Sequence, residues 1–241
     1  MHDEQQVKEE TLQYFSGDEL ATNVWMTKYC LKDKFGNHME KSPNDMHRRL
    51  ATEFARIESK FQNSLKEEEI YDLLKNFDYI VPQGSPMFGI GNDYVNASLS
   101  NCVVVASPED NISSIMDSGK QLANLFKNRC GVGLDISQLR PENAVVNNAA
   151  RTTTGAWSFA DFYSYVCRMI GQNGRRGALM ISMDVRHPDI ENFVKMKGDL
   201  TKVTGANVSV KISDSFMEAV EKAGEFTLQF PVDSDNPTHT R

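Results

Sequence analysis

One segment of the chain places a thiol next to a pattern that favours anions. Cys102 opens a run of β-branched apolar residues, Val103 to Val105, and this run predicts a strand. The turn Pro108-Glu109-Asp110-Asn111 follows and predicts the start of a helix. A strand can hold a thiol in a fixed position, and a helix N-terminus attracts anions. The segment therefore suits redox chemistry beside an anionic ligand, although a cysteine that opens an apolar strand is more often part of a core.

The other cysteines do not form a recognisable site with Cys102. The four cysteines stand at positions 30, 102, 130 and 167, without a Cys-x-x-Cys pair. This spacing supports neither a zinc site nor a disulfide framework, so we predict no metal site. We expect Cys30, Cys130 and Cys167 to be buried thiols.

Three further segments carry weaker signals of chemistry. Residues 82–89 form a Gly- and Pro-rich turn in which Ser85 would expose its hydroxyl, and taken alone they are more often a plain connecting turn. Residues 127–133 combine basic side chains with a Gly-x-Gly turn but lack the rest of a dinucleotide or P-loop fingerprint. Residues 171–177 hold three glycines, two amides and two arginines. That loop suits phosphate and nucleobase contacts, or it is a solvated basic turn.

The composition excludes several classes of protein. The chain has 241 residues, of which 40% are hydrophobic and 24% charged, as in an ordinary globular protein. Its formal net charge of -7 argues against nucleic acid as a partner of the whole molecule. No apolar run approaches the roughly 20 residues of a membrane helix. The acidic N-terminus does not resemble a signal peptide, so we expect a cytoplasmic protein.

The first 80 residues are predicted to be a helical domain. Ser42-Pro43-Asn44-Asp45 is a typical helix start, and a second helix is predicted over residues 67–77. Residues 29–37 resemble a short hairpin around Gly36. The first helix would bury one apolar face, formed by Met46, Leu50, Phe54, Ile57 and Phe61.

Residues 81–241 are predicted to form a second domain of the α/β class. Short apolar runs alternate there with helical patterns, and His187 is interpreted as a helix cap. The predicted strands are residues 102–106, 133–136, 178–184, 207–212 and 226–230. The predicted helices are residues 112–128, 155–170, 187–197 and 214–222, and the polar residues 233–241 resemble a linker.

Six motifs in a fixed order give the chain a family resemblance. Together they resemble the large (α) subunit of ribonucleotide reductase, and the resemblance extends from about Ala21 to Phe230. The motifs are Gln83-Gly84-Ser85-Pro86, Leu99-Ser100-Asn101-Cys102, Gly131 through Pro141, Asn173-Gly174-Arg175-Arg176-Gly177-Ala178, His187-Pro188-Asp189-Ile190 and Asn207-Val208-Ser209-Val210.

The resemblance implies a fold and a substrate site. In that family a helical N-terminal domain precedes a ten-stranded α/β barrel, of which this chain would supply the first half. Cys102 matches the first cysteine of the redox pair that reduces the ribose C2′ position of a ribonucleoside diphosphate. Ser85, Asn101 and Gly131 match substrate-contacting positions.

The resemblance also implies a site for an effector, which is a deoxynucleoside triphosphate or ATP. Asp110, Asn111 and Ile112 match the segment that holds the effector's sugar, and Lys127 and Arg140 match cations near its phosphates. The loop that reads the effector base would comprise Gln172, Asn173, Gly174, Arg175 and Arg176. The helices over residues 112–128 and 155–170 would form a homodimer interface, so that the effector binds where two chains meet.

Other parts of the family's machinery have no counterpart in the sequence. We find no Asn-x-Cys-x-Glu loop for a thiyl radical and no second redox cysteine at a suitable place. The chain would therefore need the C-terminal half of the reductase for turnover. It would also need an external radical source, either a di-metal partner subunit or adenosylcobalamin. The competing hypothesis is a non-catalytic, dimerising module that binds deoxynucleotides, and a generic nucleotide-binding α/β protein is a third.

Overall fold

The computed structural model describes residues 1–170, 177–199 and 201–241. The chain divides into two compact units, Met1–Asn101 and Cys102–Arg241, here called unit 1 and unit 2. The boundary between two sequence domains after residue 80 stays a prediction. A helical region followed by a parallel α/β region, with no closed barrel in the described residues, agrees with the predicted fold class.

Unit 1 is helical, as its sequence predicts. The acidic N-caps Asp3 and Asp18 accept hydrogen bonds from the first backbone N–H groups of the helices that follow them. Ser42 precedes the third helix and Pro43 is its first residue, as predicted. The helices are α1 (Glu4–Tyr14), α2 (Glu19–Lys28), α3 (Pro43–Glu58), α4 (Glu67–Leu74) and α5 (Gly84–Gly89), with a 3₁₀ turn at Lys75–Phe77.

The apolar face predicted for α3 is only half correct. Met46 and Leu50 are fully buried against Trp25 and the residues of α4. Phe54 and Ile57 are exposed and line a groove with Leu99, and Phe61 is exposed beyond the end of the helix. The periodicity of α3 continues along its whole length, but α4 has 8 residues against 16 and covers only part of that face.

The segment between α2 and α3 contains the predicted hairpin. Lys32 pairs with His38, and Gly36 lies in the turn with a φ of +90°, a conformation that glycine adopts without strain. Cys30 is buried at the start of this segment, as expected, and its Sγ lies 3.3 Å from Nδ1 of His38.

A histidine without hydrogen bonds lies in the core of unit 1. His47 on α3 is fully buried, packs edge-on against Phe77, and neither of its ring nitrogens has a hydrogen-bond partner. Burial lowers the pKa of His47 from 6.5 to about 4. Between about pH 6.5 and 4, the unfolded chain therefore binds a proton at His47 that the folded chain does not bind.

We expect this histidine to make the folded chain acid-sensitive. Above about pH 6.5 His47 is neutral in both the folded and the unfolded chain, and it costs no stability. As the pH falls from 6.5 towards 4, protonation of the unfolded chain lowers the free energy of unfolding by about 2–3 kcal/mol. His47→Leu removes the titrating group without leaving a polar atom buried. Urea unfolding at pH 7.5 and 4.5 should show a smaller loss of unfolding free energy for the variant. An identical loss in both chains would contradict the prediction.

Unit 2 contains a parallel sheet with helical connections. Within the described residues, four strands pair in the order β1-β2-β3-β4, and every pair is parallel. The strands are β1 (Cys102–Val104), β2 (Gly131–Asp135), β3 (Leu179–Asp184) and β4 (Asn207–Lys211). The helices are α6 (Ile112–Lys127), α7 (Ala156–Met169), α8 (Ile190–Lys195) and α9 (Asp214–Glu221).

The end of unit 2 differs from the sequence prediction. Of residues 226–230 only β5 (Gln229–Phe230) is a strand, and it pairs in antiparallel fashion with β6 (His239–Thr240) instead of joining the parallel sheet. Residues 233–241, expected to be a linker, therefore include a paired strand. Ser213 caps α9 through its hydroxyl, directly before the predicted first residue of that helix. The main core lies where α6 and α7 pack on the sheet through Leu122, Tyr163 and Ile181.

Candidate functional site

The amino-terminal edge of the parallel sheet carries the one accessible thiol of the chain. Cys102 is the first residue of β1 and pairs in register with Gly131, the first residue of β2. A cavity of about 340 Å³ lies at this edge. Its wall also includes Leu179 and Asn207, which begin β3 and β4. Parallel pairing therefore brings residues that are far apart in sequence to one edge beside the thiol.

Burial distinguishes Cys102 from the other cysteines. All four cysteines lie in the described residues, and only Cys102 is exposed. Burial raises the pKa of Cys30 to about 12 and that of Cys167 to about 11, which keeps both as unreactive thiols. Cys130 is buried and directs its Sγ to the carbonyl oxygen of Gly131 at 3.4 Å.

Two of the predicted substrate-contacting residues meet in unit 1. The backbone N–H of Ser85 donates to Oδ1 of Asn101 at 2.6 Å. Ser85 does not expose its hydroxyl as the turn interpretation expected, because residues 84–89 form α5 and the side chain is buried. Pro86 sits in the first turn of that helix, where no backbone donor is needed.

A second cluster follows the carboxyl ends of β1 and β2. Nε of Arg140 donates to Oδ2 of Asp110 at 2.6 Å, and the backbone N–H of Arg140 donates to Oδ1 at 3.1 Å. The two side chains are about 30% exposed, so this pair is open to solvent and to a ligand. It lines a cavity of about 510 Å³, together with Asn111 and Ile112 at the start of α6.

Part of the wall of this cavity is a hairpin that the sequence analysis did not predict. Residues 143–153 fold back on themselves, with Val145 paired to Thr152 and the N–H of Val146 bonded to the carbonyl of Arg151 at 2.8 Å. The polar residues Asn147, Asn148, Thr152, Thr153 and Thr154 face the cavity. Their run of amides and threonines was the available signal, but the flanking apolar residues are too few to predict a strand.

The structure separates Lys127 from this cluster. Asn111 is the N-cap of α6 and accepts from the N–H of Ser114, whereas Lys127 is the last residue of the same helix. At 1.5 Å per residue, the 15 steps from Ile112 to Lys127 span about 22 Å. Of the predicted effector residues, Asp110, Asn111, Ile112 and Arg140 therefore lie together within one chain. Gln172, Asn173, Arg175 and Arg176 lie outside the described residues.

The described residues contain neither a metal-binding cluster nor a membrane-spanning helix. Among residues 1–170, 177–199 and 201–241, no three His, Cys, Asp or Glu side chains are placed to hold a metal ion. No helix within those same ranges is long and apolar enough to span a bilayer.

Comparison with known proteins assigns both regions of the chain. The family model described as the ribonucleotide reductase all-alpha domain matches residues 15–91, and the one described as its barrel domain matches residues 100–240. The second match includes Cys102 and the two cavities described above, and it alone covers more than half of the chain.

Individual relatives agree with these matches. The vitamin B12-dependent ribonucleoside-diphosphate reductase of Mycobacterium tuberculosis (strain CDC 1551 / Oshkosh) is 31% identical over 216 residues, which cover 88% of this chain and 30% of that protein. The ribonucleoside-diphosphate reductase large subunit of Caenorhabditis elegans is 29% identical over 173 residues, covering 68% of this chain and 21% of that protein. The chain thus spans less than a third of either relative. It belongs to the ribonucleotide reductase large-subunit family.

Proposed function

We propose that the chain provides one redox thiol, part of the substrate site and the effector site of a ribonucleoside-diphosphate reductase. The observation that carries the proposal is Cys102, the single exposed cysteine, at the edge where four parallel strands begin. Gly131 beside it has no side chain, so a ribose could approach the backbone of β2 closely. Ser85 and Asn101, which contact each other, are the other proposed substrate residues.

The proposed reaction consumes two thiols. Cys102 and a second cysteine on the remaining half of the enzyme lose two protons and two electrons as they join in a disulfide. The ribose gains them, and its 2′ hydroxyl leaves as water. The radical that starts this exchange has an external source in the proposal, either adenosylcobalamin or a di-metal partner subunit.

The Asp110–Arg140 cavity is the proposed effector site. Asp110 can accept hydrogen bonds from a deoxyribose hydroxyl, and Arg140 offers a guanidinium to a phosphate. The N-terminus of α6, a helix of 16 residues, adds a positive dipole end. Lys127 is too far along α6 to reach this cavity from the same chain, so its proposed phosphate contact requires a second copy. Gln172, Asn173, Arg175 and Arg176 are proposed to read the effector base.

Complementation tests the proposed function. The chain is assayed for deoxynucleotide formation alone, and then with a polypeptide that carries the remaining barrel, the Asn-x-Cys-x-Glu loop and the second redox cysteine. We expect no turnover from the chain alone and effector-dependent turnover from the mixture. Turnover by the isolated chain would contradict the need for a second polypeptide.

The Asp110–Arg140 cavity also supports a second candidate, a dimerising regulatory module that binds deoxynucleotides without catalysis. The cavity lies wholly within unit 2 and does not depend on Cys102. Under this hypothesis the chain binds a deoxynucleoside triphosphate, dimerises and gives no turnover in any mixture. Calorimetry with dATP, dGTP and dTTP, together with the complementation assay, separates the two candidates.

A further inference from the structure

Two buried polar residues precede α8, and neither side chain caps that helix, although the sequence suggested a cap role for His187. His187 is fully buried and Asp189 is 4% exposed. Asp189 stands at the N-cap position, yet its carboxylate makes no capping bond to α8. A buried carboxylate needs partners to offset its lost hydration, so its actual contacts indicate what it does.

The carboxylate of Asp189 joins the two ends of the 143–153 hairpin. It accepts from the backbone N–H of Glu142 at 3.0 and 3.1 Å, directly before the hairpin. It also accepts from the backbone N–H of Ala156 at 3.0 Å, just after the hairpin. These donors are 47 and 33 residues away in sequence. One side chain from the connection between β3 and α8 therefore sets the distance between the two ends of the hairpin.

His187 connects Asp189 to the segment that precedes Arg140. Its Nε2 lies 2.8 Å from the carbonyl oxygen of Leu139, and its Nδ1 accepts from the backbone N–H of Asp189 at 3.0 Å. A carbonyl can only accept, so Nε2 carries the proton and the ring is neutral. Burial lowers the pKa of His187, in keeping with a neutral ring.

Gly155 leaves the space that the carboxylate occupies. A Cβ at this position would lie 2.5 Å from Oδ2 of Asp189 and 2.8 Å from the backbone nitrogen of Glu142. The residue also has a φ of +91°, a conformation that favours glycine. The two ends of the hairpin can approach the Asp189 carboxylate only because residue 155 has no side chain.

The clamped hairpin reaches the cavity through direct bonds. Nη1 of Arg140 donates to the carbonyl oxygen of Val145 at 2.9 Å, and the same guanidinium pairs with Asp110. A shift at the base of the hairpin would therefore displace both the threonines that line the cavity and the cation that faces it.

We propose that His187 and Asp189 are positioning residues, which clamp the base of the 143–153 hairpin and thereby set the affinity of the Asp110–Arg140 cavity for a deoxynucleoside triphosphate. The affinity part of this inference rests on the proposed function. The clamp itself does not rest on the proposed function, because it consists of hydrogen bonds from the backbone N–H groups of Glu142 and Ala156 to Asp189.

The test compares Asp189→Asn, Asp189→Ala and Glu191→Gln, the last being a control on the exposed side of α8. Hydrogen exchange at the amides of Glu142 and Ala156 reports the clamp, and calorimetry with dATP, dGTP and dTTP reports the cavity. We expect faster exchange at both amides and affinity at least about tenfold weaker in Asp189→Ala. Asp189→Asn should lie between wild type and Asp189→Ala, since its amide oxygen can still accept a hydrogen bond. In all variants, exchange at the amides of the parallel sheet should match wild type. The control Glu191→Gln should match wild type in both exchange and affinity.

The outcomes separate the inference from the proposed function. Unchanged exchange at Glu142 and Ala156 in Asp189→Ala overturns the clamp. Faster exchange with unchanged affinity overturns the link between the clamp and the cavity. A wild-type chain that binds none of the three nucleotides overturns the proposed effector site, and amide exchange alone then decides whether the clamp exists.

Discussion

In the complemented assembly, Cys102→Ser is expected to lower the rate of ribonucleotide reduction by at least about a thousandfold. The two cysteines of the proposed pair act together, so removing one thiol removes the contribution of both. A serine hydroxyl has nearly the same shape as the thiol but cannot form a disulfide, so the two electrons for the ribose have no donor. Binding of the substrate should change little, since the rest of the β1 and β2 edge is intact. Single-turnover formation of deoxynucleotide measures the loss.

A matched control isolates the thiol at position 102. Cys130→Ser changes a buried cysteine next to Gly131, and its hydroxyl can keep the bond to the Gly131 carbonyl. This variant should retain turnover. A reagent such as iodoacetamide should modify Cys102 alone in the native chain, since the other three thiols are buried. Equal losses in both serine variants, or a fully active Cys102→Ser chain, would contradict the assignment.

Local signals were sufficient for the elements that surround Cys102. The β-branched run after Cys102 and the Asp110-Asn111 turn predicted β1 and the start of α6, and the structure has both within two residues of the predicted ends. Such signals depend on backbone preferences of adjacent residues, which do not require knowledge of the fold. The same holds for Ser42 and Pro43 at the start of α3.

Features that depend on distant contacts could not be predicted in this way. The role of Asp189 requires amides 47 and 33 residues away, which its place at the start of a predicted helix does not indicate. The exposure of Phe54 depends on the length of a partner helix, which periodicity within α3 does not contain. Lys127 stands in a motif with basic neighbours, but its distance from Arg140 follows from the length of α6.

The buried ion pair of unit 1 is the other position where a single substitution should have a large effect. Nε of Arg49 on α3 lies 2.7 Å from Oε1 of Glu40, and these side chains are 10% and 4% exposed. Oε2 of Glu40 accepts from the backbone N–H of Leu31 at 2.7 Å, and Arg49 also donates to the carbonyls of Met87 and Ile90. Burial raises the pKa of Glu40 despite the neighbouring guanidinium, a sign of how strongly the site penalises charge.

Glu40→Gln should therefore lower the free energy of unfolding by about 3–4 kcal/mol, because the glutamine amide cannot neutralise Arg49 and leaves a cation buried. The chain has two tryptophans, one in each unit, so Trp157→Phe leaves Trp25 as the fluorescent reporter of unit 1 in urea. Glu53→Gln, which breaks an exposed pair with Arg56, is the control and should leave the midpoint unchanged. Replacing both charges, as in Glu40→Gln with Arg49→Met, should restore part of the loss, since no unpaired charge then remains. A Glu40→Gln chain that unfolds at the wild-type midpoint would mean that Arg49 finds compensation in the Met87 and Ile90 carbonyls alone.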